Sequence, residues 1–320
     1  MQTAIETQPT ILITGGTGFA GSHLVEELTA QGFTNLHVTS FGAQVNPPHP
    51  TAQIHTLDLT DTAAVNHLWQ ELQPTHIYHL ASFAVVGNSF EKAKSVLQNN
   101  ITLQLNVLEA TRLHTPQARL LVIGSAEEYG VLTLQPGQKI NEEFPLNPAN
   151  PYAVSKVSQD LLAFTYTVSY KLDIVRARPF NHIGERQSPD FSIPSFAKQI
   201  VAIERGLQAE LRVGELSGVR DFTDVKDMVK AYALLMAHGQ AGEVYNIGSG
   251  TGYQMASVLE MMRQLAQIEV PIVTDPTKLR PLDVPIIIAD NGKIAKLGWQ
   301  PSIPLQQTLS RVLSYWREQA

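Results

Sequence analysis

Short apolar segments alternate with amphipathic segments through the first half of the chain. The apolar segments are apolar at consecutive positions, as in strands that are covered on both faces. We predict six such strands, at 11–13, 36–38, 54–57, 77–80, 120–123 and 174–177. Between them, one helical stripe runs from Leu97 to Leu108, and residues 152–170 form a second long helix with Asn150 as its N-cap. The alternation predicts a doubly wound α/β fold around a parallel sheet.

The second half of the chain is less regular, with Pro and Gly concentrated at 179–218. Its pattern predicts helices at 196–205, 225–238, 255–266 and 304–318, and short strands at 244–247 and 286–288. Nothing here is typical of a flexible linker. We therefore expect a first domain at 1–178, to which residues of about 221–247 return, and a smaller C-terminal α/β lobe at 179–320.

Composition limits the class of protein. Of the 320 residues, 43% are apolar and 16% are charged, which excludes a disordered chain. The net charge of −6 argues against a general nucleic-acid-binding surface. No apolar run approaches the ~18 residues that a membrane span needs, and the amino terminus does not have the pattern of a secretion signal. With no cysteine and no convincing metal-binding spacing of histidines, we expect a soluble, cytoplasmic protein without a metal site.

A glycine-rich turn follows the first predicted strand immediately. Its spacing is Gly15-x-x-Gly18-x-x-Gly21, and a helix follows it. Glycines let the backbone approach a pyrophosphate, and the helix directs its amides and the positive end of its dipole toward the phosphates. The position between a first strand and a helix makes the pattern far more specific than the glycines alone. We predict a Rossmann-type dinucleotide-binding domain, with Thr17 and Phe19 also lining the turn.

The segment after the second predicted strand leaves the choice of dinucleotide open. An NAD site usually has a carboxylate here, but residues 36–42 contain no acid, and no Lys or Arg precedes Lys92. Hydroxyls and a ring nitrogen that could bind a 2′-phosphate are present at His37, Thr39 and Ser40. We favour NADP(H), with NAD(H) as the alternative. Asp58 and Leu59 either lie near the adenine or cap the next helix.

Tyr152 and Lys156 are the candidate catalytic pair, because their i, i+4 spacing places both on one helix face. A nearby ammonium stabilises a tyrosinate, so we expect Lys156 to lower the pKa of Tyr152 toward neutrality. Ser125 ends the strand at 120–123, at the sheet edge where cofactors bind in this fold. Its hydroxyl can bind the same substrate oxygen that Tyr152 protonates.

These residues resemble the extended short-chain dehydrogenase/reductases that modify nucleotide sugars. Four further segments resemble GDP-6-deoxy-4-keto-D-mannose reductases and their relatives, the GDP-mannose 4,6-dehydratases, over nearly the whole chain. They are FAKQI at 196–200, RPFNHIG at 178–184, GVRDFTDV at 218–225 and RPLDVP at 280–285. The chain departs from the reductases at Glu185-Arg186, where Pro-Gly is usual, and at Asp283, where glutamate is more usual.

The resemblance implies a role for further residues of this sequence. Ser125, Tyr152 and Lys156 would be catalytic, with Lys156 also holding the nicotinamide ribose. The implied additional cofactor contacts are Leu80, Ala81, Ser82, Asn99 and Pro179. The implied substrate contacts are Asn181 and Arg220 at the diphosphate, Lys198 near the guanine, and Arg280 with Asp283 at the nucleoside. Two arginines suit a dianionic diphosphate.

The resemblance predicts a reductase of the C4 keto group of GDP-4-keto-6-deoxy-D-mannose, giving GDP-D-rhamnose or a near relative. A 4,6-dehydratase or a C4 epimerase with tightly bound NAD(P) is the alternative. Glu127 supports it, because dehydratases place an acid/base two positions after the serine. A non-enzymatic dinucleotide sensor is a remote third interpretation. In the family, the helices that correspond to 97–108 and 152–170 pack in a homodimer, so we expect a four-helix interface between two copies.

Overall fold

The computed structural model describes residues 8–42, 50–84, 89–279 and 284–320. Its strands are β1 Ile11–Thr14, β2 Leu36–Ser40, β3 Gln53–Thr56, β4 His76–His79, β5 Arg119–Ile123, β6 Asp173–Pro179, β7 Asn181–Ile183, β8 Leu211–Val213, β9 Val219–Asp224, β10 Val244–Ile247, β11 Gly252–Gln254, β12 Ile272–Thr274 and β13 Ile286–Ile287. Its helices are α1 Phe19–Ala30, α2 Thr62–Leu72, α3 Ala93–His114, α4 Pro151–Tyr170, α5 Ser192–Glu204, α6 Val225–His238, α7 Met255–Ala266, α8 Gly292–Ala295 and α9 Leu305–Gln319.

Seven parallel strands form the main sheet, in the order β10-β6-β5-β4-β1-β2-β3. The six strands predicted in the first half are all in it, within one or two residues of their predicted bounds. Successive side chains of each strand enter opposite cores. In β1, Ile11 and Ile13 pack in the core that α1 and α6 cover, while Leu12 packs under α2, α3 and α4. The expected doubly wound, Rossmann-type fold is therefore confirmed.

A smaller α/β unit follows β6, built around the central strand β9. β11 pairs antiparallel with the first half of β9, β13 pairs parallel with the same half, and β7 pairs parallel with its second half. A further pair, β8 and β12, extends this region. Its core lies among α5, α7 and α9, with Phe196, Leu259 and Leu309 buried in it.

The chain returns from this smaller unit to the main sheet. β10 pairs with β6, Tyr245 beside Ala177, and α6 packs on the same face as α1. Ile294 and Trp299 join the same core from still later in the chain. The smaller unit is thus assembled from segments on both sides of β10, the last strand of the main sheet, whereas the domain division at 178 stays a prediction.

In the described part of the chain, none of the helices combines the length and apolar character that crossing a bilayer requires.

Candidate active site

A cavity of about 640 Å³ lies at the carboxyl ends of the central strands and continues toward the smaller unit. In doubly wound folds this edge of the sheet is where ligands bind. With the exception of His37, the residues that we predicted to contact the cofactor line this cavity. They are Gly15, Thr17, Gly18, Phe19, Gly21, Ser40, Asp58, Leu59, Leu80, Ala81, Ser82, Asn99, Tyr152, Lys156 and Pro179. The structure brings these residues together, and their role in binding stays a prediction.

The glycine turn is closed by its own backbone. The Gly18 N–H donates to the Gly15 carbonyl at 3.0 Å, and Gly15 has φ +67°, a left-handed conformation that favours glycine. A Cβ on Gly21 would lie 2.3 Å from the Gly15 oxygen, so only glycine lets α1 start this close to the turn. The first amides of α1 thereby reach the cavity without a side chain in the way. This arrangement fits the pyrophosphate of a dinucleotide.

The end of β2 differs in part from the prediction. Thr39 accepts a hydrogen bond from the Gly15 N–H at 3.0 Å, so it anchors the glycine turn. Thr17 donates to Ser40 at 3.3 Å, beside the cavity. His37 does not line the cavity that the described residues form: it is the second residue of β2, away from the carboxyl end of the strand, and its Nδ1 lies 2.9 Å from His55 Nε2. The suggestion that His37 binds a 2′-phosphate is therefore wrong.

Asp58 forms a turn ahead of α2 but does not cap that helix, and its place near the adenine stays a prediction. Its carboxylate accepts hydrogen bonds from the Thr60 N–H and hydroxyl, each at 2.8 Å, in a tight turn before α2. The same residue lines the cavity. The N-cap of α2 is Asp61, whose carboxylate accepts from the amides of Ala63 and Ala64.

The candidate catalytic residues meet at the opposite end of the cavity. Asn150 caps α4 by accepting from the Ala153 N–H, and this places Tyr152 and Lys156 on the face toward β5. Lys156 is 4% exposed, donates to the Ile123 carbonyl at 2.9 Å, and has its Nζ 5.9 Å from the Tyr152 ring centre. Ser125 stands at the end of β5 and is hydrogen-bonded to the Tyr152 side chain.

The pKa of Tyr152 differs from the value that the sequence led us to expect. Burial raises the pKa of Tyr152 well above its usual value; the Ser125 hydrogen bond lowers it, and Glu127 and Glu128 raise it further. Burial also lowers the pKa of Lys156 to about 8. We expected the Lys156 ammonium to lower the pKa of Tyr152, but desolvation of the phenolate dominates here. Tyr152 therefore keeps its proton at neutral pH and is suited to donating it.

Glu127 lines the cavity and lies in a short 3₁₀ turn, Ala126–Tyr129, that Ser125 caps. Its carboxylate accepts from the Asn150 side-chain amide at 3.0 Å. This hydrogen bond joins the turn to the N-terminus of α4. Glu127 is placed beside Ser125, as the sequence predicted, but one of its oxygens is already engaged.

The predicted substrate residues divide into three groups. Asn181 and Arg220 line the main cavity and also a second one beside it of about 90 Å³. Lys198 is not among the lining residues of the described part: it is exposed on α5, with its ammonium 5.7 Å from the Trp316 ring centre. Arg280 and Asp283 lie outside the described residues.

Sequence reasoning missed several lining residues that come from the smaller unit and from α6. They are His182, Gln187, Phe191, Tyr232 and Ile287. His182 stacks on Phe19 with ring centres 5.7 Å apart. The sequence pattern does not indicate that these side chains line a cavity. Only the motif at 178–184 pointed to this part of the smaller unit. Across the described ranges, the structure groups no three His, Asp or Glu side chains in a way that would hold a metal ion.

Comparison with known proteins identifies the family. The family model described as GDP-mannose 4,6 dehydratase matches residues 12–312. The chain belongs to this family. A family member, the GDP-6-deoxy-D-mannose reductase of Pseudomonas aeruginosa, is 35% identical over 288 residues, covering 89% of this chain and 94% of that protein.

Two solved structures match the present chain over nearly its whole length. RMD from Pseudomonas aeruginosa, complexed with NADPH, has a TM-score of 0.84 at 33% identity and covers 97% of this chain and 100% of that one. UDP-glucose 4-epimerase of Thermus thermophilus, in complex with NAD, has a TM-score of 0.86 at 29% identity, with 96% and 98% covered.

Proposed function

We propose that this protein reduces the C4 keto group of GDP-4-keto-6-deoxy-D-mannose with NAD(P)H, giving GDP-D-rhamnose or a close GDP-6-deoxyhexose. The supporting observation is that Ser125 and a buried, protonated Tyr152 face one cavity with the glycine turn. The 35% identity to a GDP-6-deoxy-D-mannose reductase across most of both chains supports the substrate class.

The chain's own residues handle the proton and the orientation of the keto group. A bound nicotinamide cofactor supplies the hydride. Tyr152 donates its phenolic proton to the C4 oxygen, which becomes the hydroxyl of the product. Ser125 donates a hydrogen bond to the same oxygen and orients it. Lys156 places a positive charge beside the phenol, which favours proton release as the oxygen becomes negative.

NADP(H) is the favoured cofactor and NAD(H) the alternative. At the end of β2, the hydroxyl groups of Thr39 and Ser40 line the cavity. No carboxylate is present at 36–42 that would repel a 2′-phosphate. The Pseudomonas structure holds NADPH, and the Thermus epimerase holds NAD. At the far end of the cavity, Asn181 and Arg220 are the proposed contacts for the substrate diphosphate.

A 4,6-dehydratase is the second candidate, because Glu127 reaches the cavity beside Ser125. Its elimination step needs a carboxyl group that exchanges a proton with the sugar. Incubation with GDP-mannose and no added cofactor separates the two functions: a 4-keto product supports the dehydratase, and no product supports the reductase.

The proposal also includes a homodimer in which α3 and α4 of each copy form a four-helix interface. One face of α4 is apolar although it is open to solvent. Val154, Leu161, Phe164 and Val168 are 40–51% exposed along one stripe of that helix. Large apolar side chains aligned on a long surface helix are typical of a protein interface.

The decisive experiment measures NADPH oxidation with the GDP-keto-sugar as substrate. The wild-type protein should oxidise NADPH only when the keto-sugar is present. Tyr152→Phe should lower kcat by about 100-fold or more, because the proton donor is lost. The control is Tyr166→Phe on the same helix, whose hydroxyl donates to Glu109 away from the cavity. Absence of keto-sugar-dependent oxidation between pH 6 and 9 would overturn the proposal.

A further inference from the structure

Directly behind Ser125 and Lys156 lies a buried network of charged side chains. Glu128 is fully buried, and its carboxylate accepts from the Arg178 Nε at 2.9 Å. Arg178 donates to Asp160 at 2.8 Å, and Asp160 accepts from Arg176 at 2.9 Å. None of these four side chains lines the cavity that the described residues form. They therefore cannot contact a nucleotide sugar bound there.

Glu128 also holds the backbone of the candidate active site. Its Oε1 accepts a hydrogen bond from the Ser125 N–H at 2.7 Å. The carboxylate occupies the space beside Gly124, where a Cβ would lie 2.3 Å from Oε1. The end of β5 is thus shaped around this carboxylate, and the position of Ser125 depends on it.

A buried network of charged side chains is energetically costly if its only role is to stabilise the fold. Ion pairs removed from water lose much of their hydration, and well-packed apolar side chains of similar volume often stabilise a fold as much or more. Burial and the neighbouring Asp160 raise the pKa of Glu128 above its usual value, although Arg178, the Ser125 N–H and Lys156 act in the opposite direction. Each Glu128 oxygen accepts from one of these two donors, and this geometry suits the ionised carboxylate. Such a network keeps a negative charge in place close to the active site.

That charge lies close to Lys156, because the ammonium donates to the Ile123 carbonyl and Glu128 accepts from the Ser125 N–H two residues further on. Among the described residues, the titratable groups around the ammonium are Tyr152 on the same helix, His79 at the end of β4, and Glu128 from the 3₁₀ turn. His79 is neutral, because burial and the Lys156 charge lower its pKa to about 3. Burial lowers the pKa of Lys156, and Glu128 raises it. Glu128 is thus the acidic group that counteracts the desolvation of the ammonium.

We propose that Glu128 is a positioning residue of the active site: its carboxylate fixes Ser125 at the end of β5 and supplies the negative charge that keeps Lys156 protonated. The Arg178 guanidinium holds the Glu128 carboxylate in place through its Nε. The inference deepens the proposed reductase function and rests on it, since a charged Lys156 matters for catalysis only if Tyr152 is the proton donor.

The test replaces Glu128 by its neutral isostere. In Glu128→Gln, Lys156 loses the charge that opposes its desolvation, so the alkaline limb of the kcat profile should move to lower pH by about one pH unit. kcat at neutral pH should fall about tenfold, because Ser125 is less well fixed. The KM for the keto-sugar should stay within about twofold, because Glu128 does not reach the cavity.

Asp160→Asn is the matched control, because it removes a buried carboxylate from the same network without touching Ser125. It should lower the melting temperature but leave the alkaline limb at the wild-type pH. If Glu128→Gln behaves like Asp160→Asn, with lower stability and an unmoved limb, Glu128 is only structural. If Glu128→Gln folds poorly, the double variant Glu128→Gln/Arg178→Met replaces it, because it also removes the Arg178 cation that has lost its Glu128 partner. The alkaline limb must be shifted in the double variant as well.

A titration of the Lys156 side chain by ¹⁵N NMR gives a readout that does not depend on turnover. The Lys156 signal, assigned by its loss in Lys156→Met, should titrate at lower pH in Glu128→Gln than in the wild type. No difference between the two proteins overturns the inference even if the enzyme is active. A clear difference in a protein without keto-sugar reduction supports the charge effect and contradicts only the proposed function.

Discussion

Tyr152 and Gly21 show how single positions determine the chemistry of the cavity. Tyr152 is 7% exposed, and its burial favours the neutral phenol over the phenolate. A phenol that stays protonated donates a proton only as the acceptor becomes basic, which is the situation of a ketone oxygen receiving a hydride. Gly21 acts at the other end, where the absence of a side chain lets α1 begin against the turn.

Gly21→Ala should weaken cofactor binding by about tenfold or more. The new methyl group would overlap the Gly15 oxygen and the Gly16 Cα, so the turn or the helix must move. Such overpacking costs about 1–3 kcal/mol of stability. Fluorescence titration with NADPH and thermal unfolding measure the two effects.

Gly32→Ala is the control for Gly21→Ala. Gly32 has φ +91°, and no heavy atom of the described residues lies within 4 Å of the place that a methyl group would take. Alanine there strains the backbone but crowds nothing in that part of the chain. It should cost about 1–2 kcal/mol of stability and leave NADPH affinity unchanged. Equal NADPH affinity in Gly21→Ala and wild type would contradict the assignment of the turn.

At the scale of elements, α1 is attached to the loop that follows β7. Arg186 has the left-handed φ of +72° and directs its guanidinium to Glu26 on α1, where NH2 donates to Oε2 at 2.9 Å. His23 lies beside this pair: its Nδ1 is 2.8 Å from Arg186, and its Nε2 is 3.0 Å from the Glu185 carbonyl. The helix that faces the cofactor end of the cavity is thereby connected to the loop that lines the substrate end.

Glu26→Gln should raise the KM for the keto-sugar several-fold with a smaller effect on kcat. The substitution leaves Arg186 without its carboxylate partner, so the loop that follows β7 and carries Gln187 is less well fixed. Because both side chains of the pair are partly exposed, the stability loss should stay near 1 kcal/mol or below. Steady-state kinetics with NADPH saturating measure the change.

Glu27→Gln is the matched control for this pair, since Glu27 is the next residue of α1 and its carboxylate accepts from Gln31 at 2.8 Å. It should leave the KM at the wild-type value. An unchanged KM in Glu26→Gln would show that the Arg186 contact does not position the substrate loop.

For the whole molecule, the exposed stripe of α4 is the feature that the single chain does not explain. Phe164 and Leu161 are 44% and 50% exposed on the outer side of that helix, whose inner side packs on the main sheet. Burying such a stripe against a second copy removes apolar surface from water at about 25 cal/mol per Å².

Leu161→Glu/Phe164→Glu should convert a dimer into monomers of 35.2 kDa in sedimentation equilibrium. Carboxylates at the centre of an apolar interface are desolvated without a partner, which disfavours association. The wild type should sediment at twice the monomer mass. Leu207→Glu is the control, because Leu207 is exposed on the smaller unit, away from α4. This variant should remain a dimer. A monomeric wild type at micromolar concentration would contradict the proposed interface.

The main sheet and its ligand-binding edge were predictable because local pattern carries the information. Segments such as 120–123 are apolar on both faces, and a residue that follows such a strand, such as Ser125, falls at the cavity by topology. β7 and β9 were missed because they are short or polar and form only through pairing with strands that are distant in the sequence. The contact between Arg186 and Glu26 joins positions 160 residues apart, which no local pattern reports. Lys198 and His37 fit a motif or a composition, but Lys198 lies on the exposed face of α5 and His37 lies near the start of β2, away from the cavity.

The order in which the chain forms its sheet has a consequence for its synthesis. β6 is an internal strand of the sheet only once β10 has been added, and β10 ends at Ile247. A nascent chain stopped before β10 presents β6 as an open edge, and one stopped before α6 also leaves the apolar face of Val175 and Ala177 uncovered. Most of the polypeptide must therefore be synthesised before the main sheet is complete. A fragment ending near 178 should aggregate and not fold as an independent domain.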